Sequence, residues 1–133
     1  MSNLPSTRAD GAGNGYQALQ AKLKRLQGAA DQLSEQVGYA AQRMKRNSSA
    51  ADTVADMSAA AQADSRHVAA IGDVADAFGQ VAVRGRRVVA AADGVSQAAG
   101  QLRSTHQNTY GGIQAAVTSS RARQAKPGFY RQP

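Results

Sequence analysis

Few side chains in this sequence have the types and spacing that catalysis or metal binding requires. Neither of the two histidines, His67 and His106, has a second histidine or a carboxylate at metal-ligand or general-base spacing that stands out from an amphipathic helix surface. The absence of cysteine excludes a disulfide, a thiolate metal site and a cysteine nucleophile. The glycines at 11, 13 and 15 follow no predicted strand and precede no Gly-Lys-Ser/Thr, so they do not match a nucleotide-binding loop. We therefore predict a protein that is not an enzyme and uses no cofactor or metal.

Clustered positive charge is a stronger chemical signal. The chain has 16 Lys and Arg against 9 Asp and Glu, and this excess favours contact with phosphate or other anionic surfaces. No DNA-reading motif accompanies the clusters, so any nucleic-acid binding would be non-specific and salt-dependent. The alternative is a solvated face that acidic residues elsewhere in the chain partly balance. The candidate nucleic-acid contacts are Lys22, Lys24, Arg25, Arg84, Arg86 and Arg87.

The C-terminal tail combines aromatic and basic residues behind a Pro-Gly turn. An extended segment normally lacks large apolar groups, because they stabilise nothing while they are exposed. Two aromatic side chains between cations are therefore typical of a peptide that docks into a pocket of a protein partner. The alternative is that they fold back and cap the end of the helices. The predicted partner-binding residues are Lys126, Pro127, Gly128, Phe129, Tyr130 and Arg131.

The same tail carries a family resemblance. The run Tyr110-Gly111-Gly112-Ile113, followed by residues 123–131, resembles the C-terminal signature of small Ala-rich helical proteins of actinobacteria that are labelled conjugal (plasmid) transfer proteins. The resemblance covers roughly residues 109–133, and upstream only the composition and the heptad pattern are similar. The label is shared with a much larger DNA-pumping ATPase, whose nucleotide loop this chain lacks. The resemblance therefore implies an accessory role in transfer and supplies no catalytic residues.

The elements that must position these residues are predicted to be helices. Leu, Ile, Val and Phe number only 20 of 133 residues, which is too few for a thick globular core, whereas Ala alone numbers 29. No proline occurs between Pro5 and Pro127, so nothing in that segment forbids a helix. The composition predicts thin helices that pack at close range.

Apolar residues repeat at alternating spacings of three and four, which is typical of the a and d positions of a coiled coil. In the first helical segment the predicted seam contains Tyr16, Leu19, Leu23, Leu26, Ala30, Leu33, Val37, Ala40 and Met44. Farther along, one register contains Val54, Met57, Ala61, Asp64, Val68, Ile71, Ala75 and Phe78. A second register contains Ile71, Val74, Phe78, Val81, Gly85, Val88, Ala92, Val95, Ala99 and Leu102.

These registers favour an elongated antiparallel bundle of three long helices. The first helix is predicted to end at Asn47-Ser48-Ser49, where Ser49 and Asp52 resemble a capping box. A second break is expected within residues 79–85, and an acidic segment at 48–82 lies between two basic ones, as a middle helix would require. The alternative is a two-helix hairpin with one very long helix that oligomerises.

The predicted organisation is a flexible arm at residues 1–15, a helical bundle at 16–108, and a short helix plus the aromatic-basic tail at 109–133, with an interruption at Tyr110-Gly111-Gly112. The sequence shows neither a signal-peptide pattern nor an apolar run near the 20 residues of a membrane span, so we expect a soluble, cytoplasmic protein. The predicted function is that of a helical adaptor docking a protein partner through its tail. Non-specific nucleic-acid binding is the alternative, and a second copy of the chain is a further candidate partner.

Overall fold

The computed structural model describes residues 15–120, which form two α-helices. Helix α1 spans Tyr16–Ala60 and helix α2 spans Ser65–Ser119. No strand occurs within residues 15–120, so the predicted all-α class is confirmed. The predicted three-helix bundle is wrong, because residues up to Ala60 continue α1 and residues from Ser65 onward form the single helix α2. Within residues 15–120 no third helix lies between two basic ones.

Helix α1 continues through Ser49, where the sequence predicted a boundary. The Ser49 hydroxyl donates to the Lys45 carbonyl oxygen at 3.3 Å, and the Thr53 hydroxyl donates to the Ser49 carbonyl oxygen at 2.9 Å. Short polar side chains can form such bonds back to the preceding turn without leaving the helix. The residues read as a capping box therefore lie inside α1.

Helix α2 continues through residues 79–85 and through Gly111-Gly112, so both predicted interruptions are absent. A glycine costs a helix about 1 kcal/mol relative to alanine, but it keeps its backbone N–H. Only proline removes that donor and clashes with the preceding turn, and the sequence has no proline between Pro5 and Pro127. Glycine alone is therefore too weak a signal to end these helices.

The chain reverses direction between Ala60 and Ser65. Gln62 adopts φ 60°, and the N–H groups of Gln62 and Ala63 donate to carbonyl oxygens three and five residues earlier, at 3.0 and 2.9 Å. This pattern is a Schellman motif, which closes the C-terminus of α1. The Asp64 carboxylate then accepts from the Arg66 N–H at 2.8 Å and caps the N-terminus of α2. The prediction that Asp64 lies in an apolar seam is wrong, because its side chain is used by the backbone.

Asp64→Ala is expected to lower the free energy of unfolding by about 1 kcal/mol, because the first turn of α2 loses its cap. Asp64→Asn keeps an acceptor oxygen at the same place and should lose much less. Urea unfolding followed by circular dichroism at fixed protein concentration measures both variants. Equal losses in the two variants would show that the cap does not stabilise the turn.

Two compact units are present in the chain. The inner unit is Gly28–Ser96, and the terminal unit contains the described residues up to Gln27 and from Gln97 onward. Within the inner unit, Ser34 contacts Asp93 and Ser48 contacts Ala75, so progress along α1 matches retreat along α2. The two helical segments of this unit are therefore antiparallel.

Small residues line the seam of the inner unit, where α1 meets α2. Gly85 is the closest point, because a Cβ atom placed on it would lie 3.0 Å from the Ala41 Cβ and 3.6 Å from the Ala41 Cα. Such an approach requires that both partners be nearly without side chains. The buried residues of the inner unit are Ala30, Ala41, Ala75, Ala82, Ala92 and Ser96.

A reciprocal pair of hydrogen bonds joins the two helices of the inner unit. The Ser34 hydroxyl donates to the Asp93 carboxylate, and the Ser96 hydroxyl donates to the Asp31 carboxylate, each at 2.6 Å. Each helix therefore supplies one Asp-x-x-Ser, and each serine bonds to the aspartate of the other helix. Bonds to an ionised acceptor are the stronger kind. We name these four residues the Asp/Ser clasp; it forms in only one antiparallel register.

Gly85→Leu is expected to lower the free energy of unfolding by about 1–3 kcal/mol, because the added side chain must push Ala41 and α1 away. Gly94→Leu is the matched control, since a Cβ atom there meets nothing within 4 Å. The control should be neutral or stabilising by up to about 1 kcal/mol through helix propensity. Thermal and urea unfolding measure the difference, and two variants of equal stability would contradict the close approach.

Candidate interaction surfaces

The large apolar residues of the inner unit do not all lie where the sequence predicted them. Ala30, Val37 and Met44 are buried or half-buried, as members of a seam should be. Leu33, which the heptad pattern placed in the same seam, is 47% exposed. On α2, Ala92 is buried, whereas four other residues that were predicted for the same seam are exposed. Those exposed residues are Val74, Val81, Val88 and Val95, with 43–52% of their surface accessible.

The exposed residues share one position relative to the seam. Each exposed residue directly precedes a seam residue. For example, Leu33 precedes Ser34 and Val88 precedes Val89, and Ser34 and Val89 are half-buried. Two right-handed helices that run antiparallel place residues in this position on the same side of the pair. We name this side of the inner unit the apolar face, and its members are Leu33, Val54, Val74, Val81, Val88 and Val95.

The opposite side of the inner unit, here called the polar side, carries the carboxylates of the Asp/Ser clasp. Asp31 and Asp93 each directly follow a buried alanine, so helix geometry places them on the side away from the apolar face. The Asp/Ser clasp therefore belongs to the polar side. The inner unit thus has one side that carries carboxylates together with Val83, and one side that carries the six residues of the apolar face.

The three arginines at 84–87 do not form one patch. All three are exposed on α2, but residues three apart share a helix face while the residue between them points elsewhere. Arg84 and Arg87 accordingly line the same open groove of about 560 Å³, and Arg86 does not. The other lining residues are Ser48, Asp76, Gly79, Gln80 and Val83. Two guanidinium groups could hold an anion there, although the Asp76 carboxylate opposes it.

In the terminal unit, Lys22, Lys24 and Arg25 are exposed on α1. Lys22 and Arg25 lie three residues apart and share a face, whereas Lys24 points away from both. The six predicted nucleic-acid contacts thus include two local pairs, each within its own unit. The predicted partner-binding residues of the tail, Lys126 to Arg131, lie outside the described residues, so their docking role stays a prediction.

A histidine-centred cluster in the terminal unit was not predicted. The His106 ring stacks on Tyr16 with a centroid separation of 4.9 Å and contacts Tyr110 at 5.2 Å. The Gln20 amide nitrogen donates to the Arg103 carbonyl oxygen at 3.1 Å and lies 2.8 Å from His106 Nδ1. The Gln20 amide nitrogen can only donate, so its second N–H donates to His106 Nδ1. In this arrangement the neutral imidazole carries its proton on Nε2. The i, i+4 spacing of His106 and Tyr110 was the available sequence signal.

Comparison with known proteins gives no match: no family model, no curated protein and no solved structure is similar to this chain. Within residues 15–120, no group of three or more histidine, cysteine or acidic side chains is arranged to hold a metal ion. Among those residues, no helix has the length and apolar character needed to cross a membrane.

His106→Ala is expected to lower the free energy of unfolding by about 1 kcal/mol, because it removes contacts to two aromatic rings and to Gln20. His67→Ala is the matched control, since His67 is exposed and lies in no ring contact that the structure shows. Chemical unfolding of both variants at neutral pH provides the comparison. A loss for His67→Ala as large as for His106→Ala would contradict the structural role of the cluster.

Proposed function

We propose that this chain is a non-enzymatic helical accessory protein that acts by binding other macromolecules. The apolar face is the observation that carries the proposal. A folded helical pair normally turns its largest apolar side chains toward its own seam. Here the fully buried seam residues are alanine and serine, and a second set of large apolar side chains, valine and leucine, stays half-exposed outside the seam. Several half-exposed apolar residues on one side of a helical pair are typical of an interaction surface.

The tail supplies the second half of the proposal. Phe129 and Tyr130 stand between Lys126 and Arg131, which is a composition suited to docking in a pocket of a protein partner. The resemblance of residues 109–133 to actinobacterial transfer proteins suggests plasmid conjugal transfer as the setting. In this proposal the helices are a spacer, and the tail selects the protein partner.

Removal of residues 124–133 is expected to reduce capture of a protein partner at least tenfold while helicity is unchanged, because all the predicted docking residues lie in that segment. The full chain and the truncated chain are immobilised and incubated with lysate of the cells from which the gene comes. Bound proteins are then quantified by mass spectrometry. Equal capture by the two chains would refute docking through the tail.

A pair of substitutions sharpens this test. Phe129→Ser with Tyr130→Ser removes the aromatic groups and should reproduce the loss caused by truncation. Gln124→Ser with Gln132→Ser changes two polar residues of the same segment and should retain capture. If both pairs retain capture, the aromatic residues are not the anchors.

The groove beside Ser48 favours non-specific nucleic-acid binding as the second candidate function. Arg84 and Arg87 line it together, and guanidinium pairs suit phosphate oxygens. If duplex DNA binds there, a mobility shift seen at about 50 mM salt should fade by about 200 mM, since phosphate contacts release counterions. Arg84→Gln with Arg87→Gln should weaken this shift more than Arg86→Gln does. Absence of any shift at about 50 mM salt would exclude this function.

A further inference from the structure

We propose that the apolar face of the inner unit binds the same face of a second copy of this chain, so that two helical pairs form a four-helix interface. The inference rests on the proposed binding role and names the partner of this one face. It concerns Leu33 and Val54 on α1 and the valine row on α2. The tail takes no part in it.

The spacing of the face points to another helix as its partner. Val74, Val81, Val88 and Val95 follow one another at intervals of seven residues. A strict seven-residue repeat keeps one row of side chains facing a neighbouring helix, and β-branched residues in such a row pack as knobs into the holes of that helix. A flat lipid surface or a globular pocket would not require the repeat.

The face is also complementary to itself. In a twofold arrangement the same patch occurs on both subunits, so each row of side chains must pack against side chains of the same type. Apolar rows meet this condition, since valine and leucine pack against valine and leucine. Like charges opposite one another would not, and Asp31 and Asp93 lie on the polar side of the inner unit, as do the hydrogen bonds of the clasp.

The available area matches what a stable dimer needs. The inner unit contains roughly 30 residues of each helix, which is about 45 Å of length at 1.5 Å per residue. Two helices packed side by side are about 18–20 Å wide, so one side of the unit offers about 800 Å². Standard interfaces bury about 800 Å² on each partner. One side of the inner unit is therefore large enough for a standard interface with a second copy.

Sedimentation equilibrium of the full chain tests the inference directly. Loading concentrations from about 5 to about 200 µM bracket the dissociation of dimers with micromolar affinity, and we expect twice the monomer mass at the upper end. Val81→Glu should raise the dimer dissociation constant at least tenfold, because each dimer then buries two unpaired carboxylates. Val81→Ile keeps the shape and the apolar character and should leave the dimer intact.

The matched control is Val83→Glu, which places the same charge on a valine of the same helix that is 49% exposed but lies outside the apolar face. It should dimerise as the unchanged chain does. Circular dichroism of each variant reports whether the helices persist. A full chain that is monomeric throughout, or a Val83→Glu variant weakened as much as Val81→Glu, would overturn the inference.

A lipid surface is the alternative partner of the apolar face, and a separate experiment tests it. The full chain is sedimented with vesicles of phosphatidylcholine and phosphatidylserine. A monomeric chain that binds these vesicles, and loses binding on Val81→Glu, would assign the face to a membrane and overturn self-association. Because the mass measurement uses the purified chain alone, its failure leaves the capture experiment on the tail unaffected. Loss of capture by the truncated chain while the dimer persists would locate the two functions in separate parts of the protein.

Discussion

The close approach of the two helices in the inner unit is the constraint on which the rest depends. Gly85 lies so close to Ala41 that a Cβ atom placed on it would be 3.0 Å from the Ala41 Cβ, and alanine fills most of the other buried positions. A seam this narrow buries little apolar surface per residue, so at about 0.8 kcal/mol per methylene it contributes little stability of its own. The clasp adds two charge-assisted hydrogen bonds, and these specify the register.

The narrow seam also determines where the large side chains go. A helix that meets its neighbour through Ser34 and Ala41 must turn the adjacent Leu33 outward, because residues one position apart differ by about 100° around the axis. The same rotation on α2 turns the valine row outward on the same side. The apolar face is thus a direct consequence of closing the hairpin on small residues, and it supplies the protein with a surface for partners.

Helical class was predictable from the sequence because it depends on local properties: many alanines and no proline from Pro5 to Pro127. Helix boundaries were not, since serine and glycine only weaken a helix and the true turn uses Gln62 and Asp64, which look unremarkable in sequence. Only some of the seam residues were predictable. Each helix has an apolar arc wider than two heptad positions, and the size of its residues alone does not reveal which part of the arc faces the neighbouring helix.

The candidate surfaces were likewise predictable only in part. The aromatic-basic tail and the basic clusters could be found from residue type, yet only helix geometry separates Arg86 from the pair that lines the groove. The cluster around His106 joins Tyr16 to residues far along the chain, and no local pattern announces that contact. Long-range proximity is what single-sequence reasoning lacks.

Disulfide trapping in the inner unit tests the central claim most directly, because the chain has no cysteine of its own. A Cβ atom on Gly79 would lie 3.4 Å from the Ser48 Oγ, which suits a disulfide, whereas Ser49 points about 100° away around α1. We expect Ser48→Cys with Gly79→Cys to form an intramolecular disulfide in dilute solution, as detected by peptide mass mapping. Trapping of Ser49→Cys with Gly79→Cys instead would show that the helices meet on another face, and it would contradict the account.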